Sequence, residues 1–136
     1  MELRTLASGS SGNCILISGA GARLLVDCGI SCRRIVTALR ELDLSPGDIT
    51  GILITHEHSD HIAGLATLTK QFALPVYASP GTALELRRRI AFPLDTLREV
   101  EPGRSIELEG LGVTGFSTSH DATEPMGFAF TDGKRR

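Results

Sequence analysis

Three of the four histidines in this 136-residue chain lie within six positions, at His56, His58 and His61, and Asp60 adds a carboxylate to the same run. Neutral imidazole is the commonest protein ligand for zinc-like metals. Imidazole nitrogens combined with a carboxylate oxygen suit Zn, Mn or Fe rather than Ca or Mg. The run therefore predicts a transition-metal site.

The spacing within the run indicates two ions rather than one. In an extended loop His56 and His58 point to the same side, because side chains alternate with a period of two, so they can share one ion. Asp60 and His61 lie where the chain turns into a helix, from which they could reach a second ion. The alternative is a polar helix start with solvated histidines and Asp60 as the N-cap, but three histidines around a carboxylate have no ordinary structural reason.

The elements on either side position this run at the end of a strand. Residues 51–54 are continuously apolar and predict a buried strand. A helix is predicted to follow, with apolar residues at helical spacing: Ile62, Leu65, Leu68 and Phe72.

Three further residues are candidates for the same site. His120 follows a predicted strand and could supply the third imidazole of a three-histidine site. Asp27 ends the strand 23–27, where it is either a turn former or the carboxylate that holds the second ring nitrogen of a metal-binding histidine. Glu57 is predicted to point away from its histidine neighbours and to be solvated.

Two other segments have less specific chemistry. The loop from Ser8 to Asn13 is rich in glycine and serine and could present N–H groups to phosphate, although a plain tight turn explains it equally well and it lacks the ending of a P-loop. Arg87, Arg88 and Arg89 could meet substrate phosphates, but three consecutive residues cannot share one helix face, so a solvated surface is expected for at least two.

Composition is typical of a globular domain in a reducing compartment. Apolar residues make up 41% of the chain, its net charge is −2 and its pI is about 6.1, so it lacks the strongly basic charge typical of a nucleic-acid-binding domain. We predict a cytoplasmic protein, because no apolar run could span a membrane and the N-terminus lacks signal-peptide features. Three cysteines without a CxxC motif predict free thiols, and Cys14 is predicted to be a small core residue.

Along the chain, strands at 2–7, 13–18 and 23–27 predict an opening β-meander. A helix that Ser31 could cap follows, then strand–helix alternation, and β-structure returns from about residue 97. This order predicts an α/β fold whose sheets are covered by helices.

The motif His-x-His-x-Asp-His after an apolar strand, with Asp27 upstream and His120 downstream, resembles the metallo-β-lactamase-fold hydrolases. Ser8–Asn13, Leu25–Gly29 and Thr55–His61 look more narrowly like the YycJ/WalJ branch, which is associated with DNA exonuclease activity. The resemblance implies an αββα sandwich, of which residues 1–136 would be the N-terminal portion of one metallo-β-lactamase-like domain.

The resemblance also implies two divalent ions, Zn or Mn. His56, His58 and His120 would hold the first ion; Asp60 and His61 would hold the second and, with Asp27, act in catalysis. The family pattern needs a later bridging aspartate and a final histidine, which this sequence lacks, so we expect a C-terminally truncated and catalytically incomplete chain that self-associates.

The implied function is a phosphodiesterase or exonuclease that cleaves DNA through a metal-activated hydroxide, with no membrane partner. Two alternatives remain open: a metallo-hydrolase of small molecules such as thioesters, lactams or cyclic phosphodiesters, and a non-catalytic metal-binding module.

Overall fold

A computed structural model describes residues 1–9, 12–92, 96–118 and 122–132. The opening meander is present as three antiparallel strands, β1 (Glu2–Ala7), β2 (Cys14–Gly19) and β3 (Ala22–Val26). Helix α1 (Cys32–Arg40) begins after Ser31, whose hydroxyl accepts a hydrogen bond from the Arg34 N–H at 3.2 Å, as an N-cap does.

Strand–helix alternation follows, as predicted. A single 3₁₀ turn (Pro46–Asp48) leads into β4 (Gly51–Leu53), and α2 (Ser59–Ile62) and α3 (Leu65–Gln71) precede β5 (Val76–Ala78). Helix α4 (Pro80–Arg89) starts with Ser79 as its N-cap and proline in its first turn, and leads to β6 (Leu97–Glu99). These strands form a six-stranded sheet in the order β1-β2-β3-β4-β5-β6, in which the pairings from β3 to β6 are parallel.

The chain crosses to a second sheet after β6. Strands β7 (Ser105–Leu108), β8 (Leu111–Ser117) and β9 (Met126–Thr131) form a three-stranded antiparallel sheet. The turn at Pro102 and Gly103 therefore joins two sheets rather than two neighbouring strands. The helices, the six-stranded sheet and the three-stranded sheet form successive layers. This arrangement confirms the predicted α/β class and the prediction that the chain forms the N-terminal portion of a sandwich.

Neighbouring residues of the central strands face opposite cores because strand side chains alternate. Ile52 of β4 is fully buried in the core shared with the helices, whereas the adjacent Leu53 is fully buried in the core between the two sheets. Burial on both faces explains why β4 and β5 read as continuously apolar runs. Cys14 lies in the core, as predicted, and all three cysteines are buried free thiols.

The predicted continuous helix after the histidines is interrupted. It is divided into α2 and α3 at Ala63 and Gly64. A Cβ at Gly64 would lie 2.1 Å from the Ile30 carbonyl oxygen, so the chain packs closely against its neighbour here. No helix in the described part of the chain is both long and apolar enough to cross a membrane.

Candidate metal centre

The histidine run lies at the carboxyl end of β4, where three chain segments meet. The Asn13 N–H donates to the carbonyl of Asp60, and the Cys28 N–H donates to the carbonyl of His61, each at 2.8 Å. The run is therefore joined by backbone hydrogen bonds both to the glycine-rich loop before β2 and to the segment after β3.

Glycine is required where these segments cross. A Cβ at Gly29 would lie 1.8 Å from the carbonyl oxygen of Asp60 and 2.5 Å from the backbone nitrogen of Asn13. Any larger residue would push the segment after β3 away from the start of α2. The close approach brings Asp27 within hydrogen-bonding distance of His61.

Asp27 is the central buried acceptor of the site. Asp27 is 4% exposed. One carboxylate oxygen, Oδ1, accepts the Thr55 N–H at 2.8 Å. The other, Oδ2, accepts the Thr55 hydroxyl at 2.7 Å and lies 2.6 Å from Nδ1 of His61. The predicted contact between Asp27 and a histidine of the run is thus present.

The backbone of Asp27 has a φ of 66°, in the left-handed region. Aspartate tolerates this conformation better than most residues, and such residues persist where the surrounding structure holds them. Here the Asp27 N–H donates to the carbonyl of Leu53 at 2.7 Å, which anchors the end of β3 beside β4. The conformation turns the carboxylate towards the histidine run.

The hydrogen-bond network assigns the tautomers of two histidines. Because Thr55 donates its single hydroxyl proton to Asp27, its oxygen is an acceptor towards Nδ1 of His56, 3.0 Å away. Asp27 accepts directly from Nδ1 of His61. Both histidines thus carry a proton on Nδ1, so Nε2 is the ring nitrogen that could coordinate a metal in their neutral forms.

Electrostatics at His61 favour a positive charge. Burial acts to lower the pKa of His61, but the hydrogen bond and charge of Asp27, together with the charge of Asp60, raise it above its ordinary value. Two carboxylates therefore create a negative potential at this ring. The same negative potential would stabilise a bound cation, which would compete with the proton for the imidazole of His61.

The three imidazoles of the run are in contact. The ring centroids of His56 and His58 are 4.7 Å apart, and those of His56 and His61 are 3.9 Å apart. Nε2 of His61 lies 3.7 Å from the Asp60 carboxylate. The donors fit a zinc-type ion in their chemistry, because neutral imidazoles and a carboxylate are the ligands such ions take.

The described donors do not by themselves form a complete metal site. Across residues 1–9, 12–92, 96–118 and 122–132, no group of three or more His, Cys, Asp or Glu side chains is placed to hold an ion. His120, the predicted third imidazole, lies outside the described residues. The assignment of metal ligands at His56, His58, Asp60, His61 and His120 therefore stays a prediction.

Two residues of the site were missed from the sequence. Thr55 was quoted in the motif but given no role, and it links Asp27 to His56. The Asn13 side-chain nitrogen lies 3.4 Å from Nε2 of His61 and 3.5 Å from the Asp60 carboxylate. The available signal in the sequence was an asparagine at the end of a glycine-rich loop. In the structure the Asn13 side chain also hydrogen-bonds the backbone of Gly9.

The prediction that Glu57 is solvated was wrong. It is 5% exposed, and one carboxylate oxygen accepts the N–H and hydroxyl of Thr123 at 3.1 and 3.0 Å. The alternation argument placed Glu57 opposite the histidines, but the segment before β9 covers that side of the run. This covering segment leads into β9 of the second sheet, a contact that the local pattern could not reveal.

The three arginines of α4 engage protein acceptors. Arg87 pairs with Glu99 at 2.9 Å and Arg88 with Glu85 at 3.3 Å. Arg89 donates to the Glu57 carbonyl at 3.1 Å, so it supports the histidine run from outside. The expectation of a solvated surface holds for Arg87 and Arg88, whose side chains are 48% and 67% exposed.

A cavity of ≈ 280 Å³ opens beside the histidines, between the two sheets. Its polar side is formed by Asp27, Thr55 and the histidines, and its opposite side is apolar. The loop from Ser8 to Asn13 meets this cavity through Asn13. Its Ser10 and Ser11 lie outside the described residues, so the choice between a phosphate-binding loop and a plain tight turn stays open. The lining consists of Asn13, Ile15, Val26, Asp27, Thr55, His56, His61, Thr118, Met126 and Gly127.

Comparison with known proteins agrees with this geometry. Residues 7–135 match the family model described as the metallo-beta-lactamase superfamily. The chain is 38% identical over 142 residues to exodeoxyribonuclease YycJ of Bacillus anthracis, with 100% of this chain and 52% of that protein covered. It is 36% identical over 128 residues to exodeoxyribonuclease WalJ of Streptococcus pneumoniae (serotype 2, strain D39), with 92% and 48% covered.

The chain therefore spans about half the length of the curated relatives it matches. Among solved structures, a B3 metallo-beta-lactamase with an active-site glutamic acid superposes with a TM-score of 0.78 at 25% identity, covering 98% of this chain and 56% of that one. These matches confirm the predicted family, its YycJ/WalJ branch and the predicted fold.

Proposed function

Because this chain belongs to the metallo-β-lactamase superfamily, we propose that it contributes to a metal-dependent hydrolase that acts as a phosphodiesterase, and more narrowly as an exonuclease on DNA. The observation that carries the proposal is the Asp27–Thr55 network, which keeps the protons of His56 and His61 on Nδ1, so that Nε2 is the nitrogen of each ring that would coordinate a metal. The named activity of the YycJ and WalJ relatives supports DNA as the substrate.

We propose the ligand sets implied by the family pattern. His56, His58 and His120 would hold one divalent ion, and Asp60 and His61 would hold the other, with Zn or Mn as the metal. When bound, such ions lower the pKa of water and stabilise the developing charge on phosphoryl oxygens. The protein itself orients the imidazoles, contacts the substrate and restricts the access of water.

Asp27 and Thr55 retain protons at Nδ1 of His61 and His56, so both rings keep one orientation throughout the reaction. Asn13 presents an amide donor at the rim of the cavity, where it would hydrogen-bond a phosphate oxygen of the substrate. The apolar side of the cavity, formed by Ile15, Val26 and Met126, limits the access of bulk water. Asp27 touches neither substrate nor metal in this proposal and acts by positioning His61.

The test is a digestion assay on the 136-residue chain and on the protein encoded by its full open reading frame. Each is stripped with a chelator, reloaded with Zn or Mn, and given DNA labelled at the 5′ or 3′ end. We expect metal-dependent release of nucleotides from one end by the protein of the full reading frame. Asp60→Asn should abolish it, whereas Asp48→Asn, which alters an exposed carboxylate that accepts hydrogen bonds from Ser45, should not.

Parallel assays with a thioester, a β-lactam and a cyclic phosphodiester distinguish the alternatives. Turnover of one of these without DNA digestion would replace the proposed substrate class while retaining the hydrolase. Metal binding without turnover of any substrate would identify a non-catalytic module. Failure of both proteins to bind metal would refute the proposal as a whole.

A further inference from the structure

Glu57 occupies an unusual place in the histidine run. It lies between His56 and His58, and its carboxylate is buried against the segment that joins β8 to β9. One carboxylate oxygen, Oε2, accepts two hydrogen bonds from Thr123. The other, Oε1, is the buried side-chain oxygen that has no hydrogen-bond partner in the described part of the chain.

The segment from residue 122 to 126 is held at two points of the run. Thr123 is bound by Glu57, and the N–H of Met126 donates to the carbonyl of Thr55 at 2.9 Å. Both contacts flank His56. The second sheet is thereby joined to the histidine run on each side of its first histidine.

Glu124 secures the same segment to a different element. Its carboxylate accepts the Gly81 N–H at 2.6 Å, and its carbonyl accepts the hydroxyls of Ser79 at 2.6 Å and Thr82 at 3.1 Å. Helix α4 therefore binds the segment from outside, while Glu57 binds it to the metal-centre side. The two glutamates serve different partners, which makes them separable by mutation.

We propose that Glu57 is a positioning residue that holds residues 122–126, the stretch leading into β9, against the histidine run beside His56. The second sheet and the run are thereby kept at a fixed separation, on which an ion with ligands from both would depend. His120, three positions before Thr123 in the sequence, is the ligand that the proposed function expects from that side. This inference rests on the proposed metal centre for its purpose, although the anchoring itself can be tested without metal.

The anchoring role predicts a graded mutational response. Glu57→Ala leaves the N–H and hydroxyl of Thr123 without their acceptor. Glu57→Gln keeps an amide oxygen that can accept from Thr123. Thr123→Val removes one of the two donors, and Thr69→Val is its matched control, because it removes a hydroxyl whose partners are carbonyls within α3.

The experiment measures hydrogen exchange across residues 118–126 in the metal-free 136-residue chain. We expect exchange to be about tenfold faster in Glu57→Ala, the order expected when hydrogen bonds to a carboxylate are lost. Thr123→Val should give a smaller increase, and Glu57→Gln and Thr69→Val should stay near wild type. If Glu57→Ala does not fold, unchanged exchange in Thr123→Val overturns the anchoring.

Metal affinity is then measured on the same variants by competition with a chromophoric chelator. The coordination number of bound Co²⁺ is read from its visible spectrum. We expect Glu57→Ala to bind about tenfold more weakly and to lose the intensity typical of four-coordinate Co²⁺. Wild-type affinity in a variant with accelerated exchange would overturn the positioning role. Failure of the wild type to bind metal would instead reject the proposed function, while the exchange data would still decide whether Glu57 anchors the segment.

Discussion

Replacing Asp27 with asparagine should weaken metal binding through two histidines at once. Asparagine can still accept the Thr55 N–H with its amide oxygen. Its NH₂ group, however, would face both the Thr55 hydroxyl and Nδ1 of His61, which donate to Asp27 Oδ2 in the wild type. Two of the three hydrogen bonds are lost or reversed, and Nδ1 of His61 is driven to become an acceptor. Its proton then moves to Nε2, the atom required by a metal.

The size of the expected effect follows from the burial of the Asp27 and His61 side chains and from the number of hydrogen bonds that are lost. The side chains of Asp27 and His61 are 5% and 17% exposed, so solvent screens their interaction little. Hydrogen bonds to charged groups contribute about 1.5–3 kcal/mol each. Losing two, at the lower end of that range, predicts a decrease of about 3 kcal/mol in the free energy of unfolding of the metal-free protein. Removal of such a histidine partner also predicts a loss of about 10- to 100-fold in metal affinity.

The assay combines urea unfolding in the presence of chelator with zinc competition titration. Asp48→Asn is the matched control, because it makes the same chemical change at an exposed carboxylate remote from the site. Thr55→Val should produce a smaller loss, since it removes the acceptor of His56 but leaves the Asp27–His61 contact. If Asp27→Asn binds zinc with wild-type affinity and stoichiometry, the assignment of tautomers from this network is refuted.

Two other predictions concern packing and pH. Gly29→Ala should lower the free energy of unfolding by more than the roughly 1–3 kcal/mol that ordinary overpacking costs, because its Cβ would meet the Asp60 carbonyl oxygen at 1.8 Å. The measurement is urea unfolding in the presence of chelator. The control Gly47→Ala lies at an open turn, where the nearest atom is 3.8 Å away, and should differ little from wild type. The raised pKa of His61 means that the folded state binds a proton more tightly than the unfolded state. The stability that His61 contributes in metal-free protein should therefore be complete below its unfolded pKa of about 6.5 and decline as pH rises through the higher folded pKa. A difference between wild type and His61→Gln that does not vary with pH would contradict this.

Local patterns in the sequence were sufficient for the fold class and for the histidine run. The apolar stretch before His56 and the period of the following residues located the strand and helix, because burial on a parallel strand and along a helix face leaves a local signature. Asp27 was also found from sequence, since a carboxylate at a strand end has few partners to choose from once a histidine cluster is nearby. Its contact with His61 confirms the pairing, whereas its role towards a metal stays a prediction.

Contacts between distant segments could not be read from the same patterns. Glu57 is separated from Thr123 by 66 positions, and no periodicity around Glu57 indicates that the second sheet covers it. The crossing of Gly29 over Asp60 is likewise a consequence of packing. The predicted self-association, cytoplasmic location and catalytic incompleteness of the chain stay predictions.

The distribution of the site over two sheets has a consequence for the order of folding. The Asp27–Thr55 bonds close 28 positions, within one sheet, whereas the Glu57–Thr123 bonds close 66 positions and join both sheets. Contacts distant in sequence form more slowly on average, because closing the longer loop costs more entropy before any contact is gained. We therefore expect the half of the centre built around Asp27 to form first and the segment before β9 to dock last. Stopped-flow refolding in the presence of Zn should then show metal uptake lagging behind the recovery of helical signal; simultaneous recovery would exclude this order.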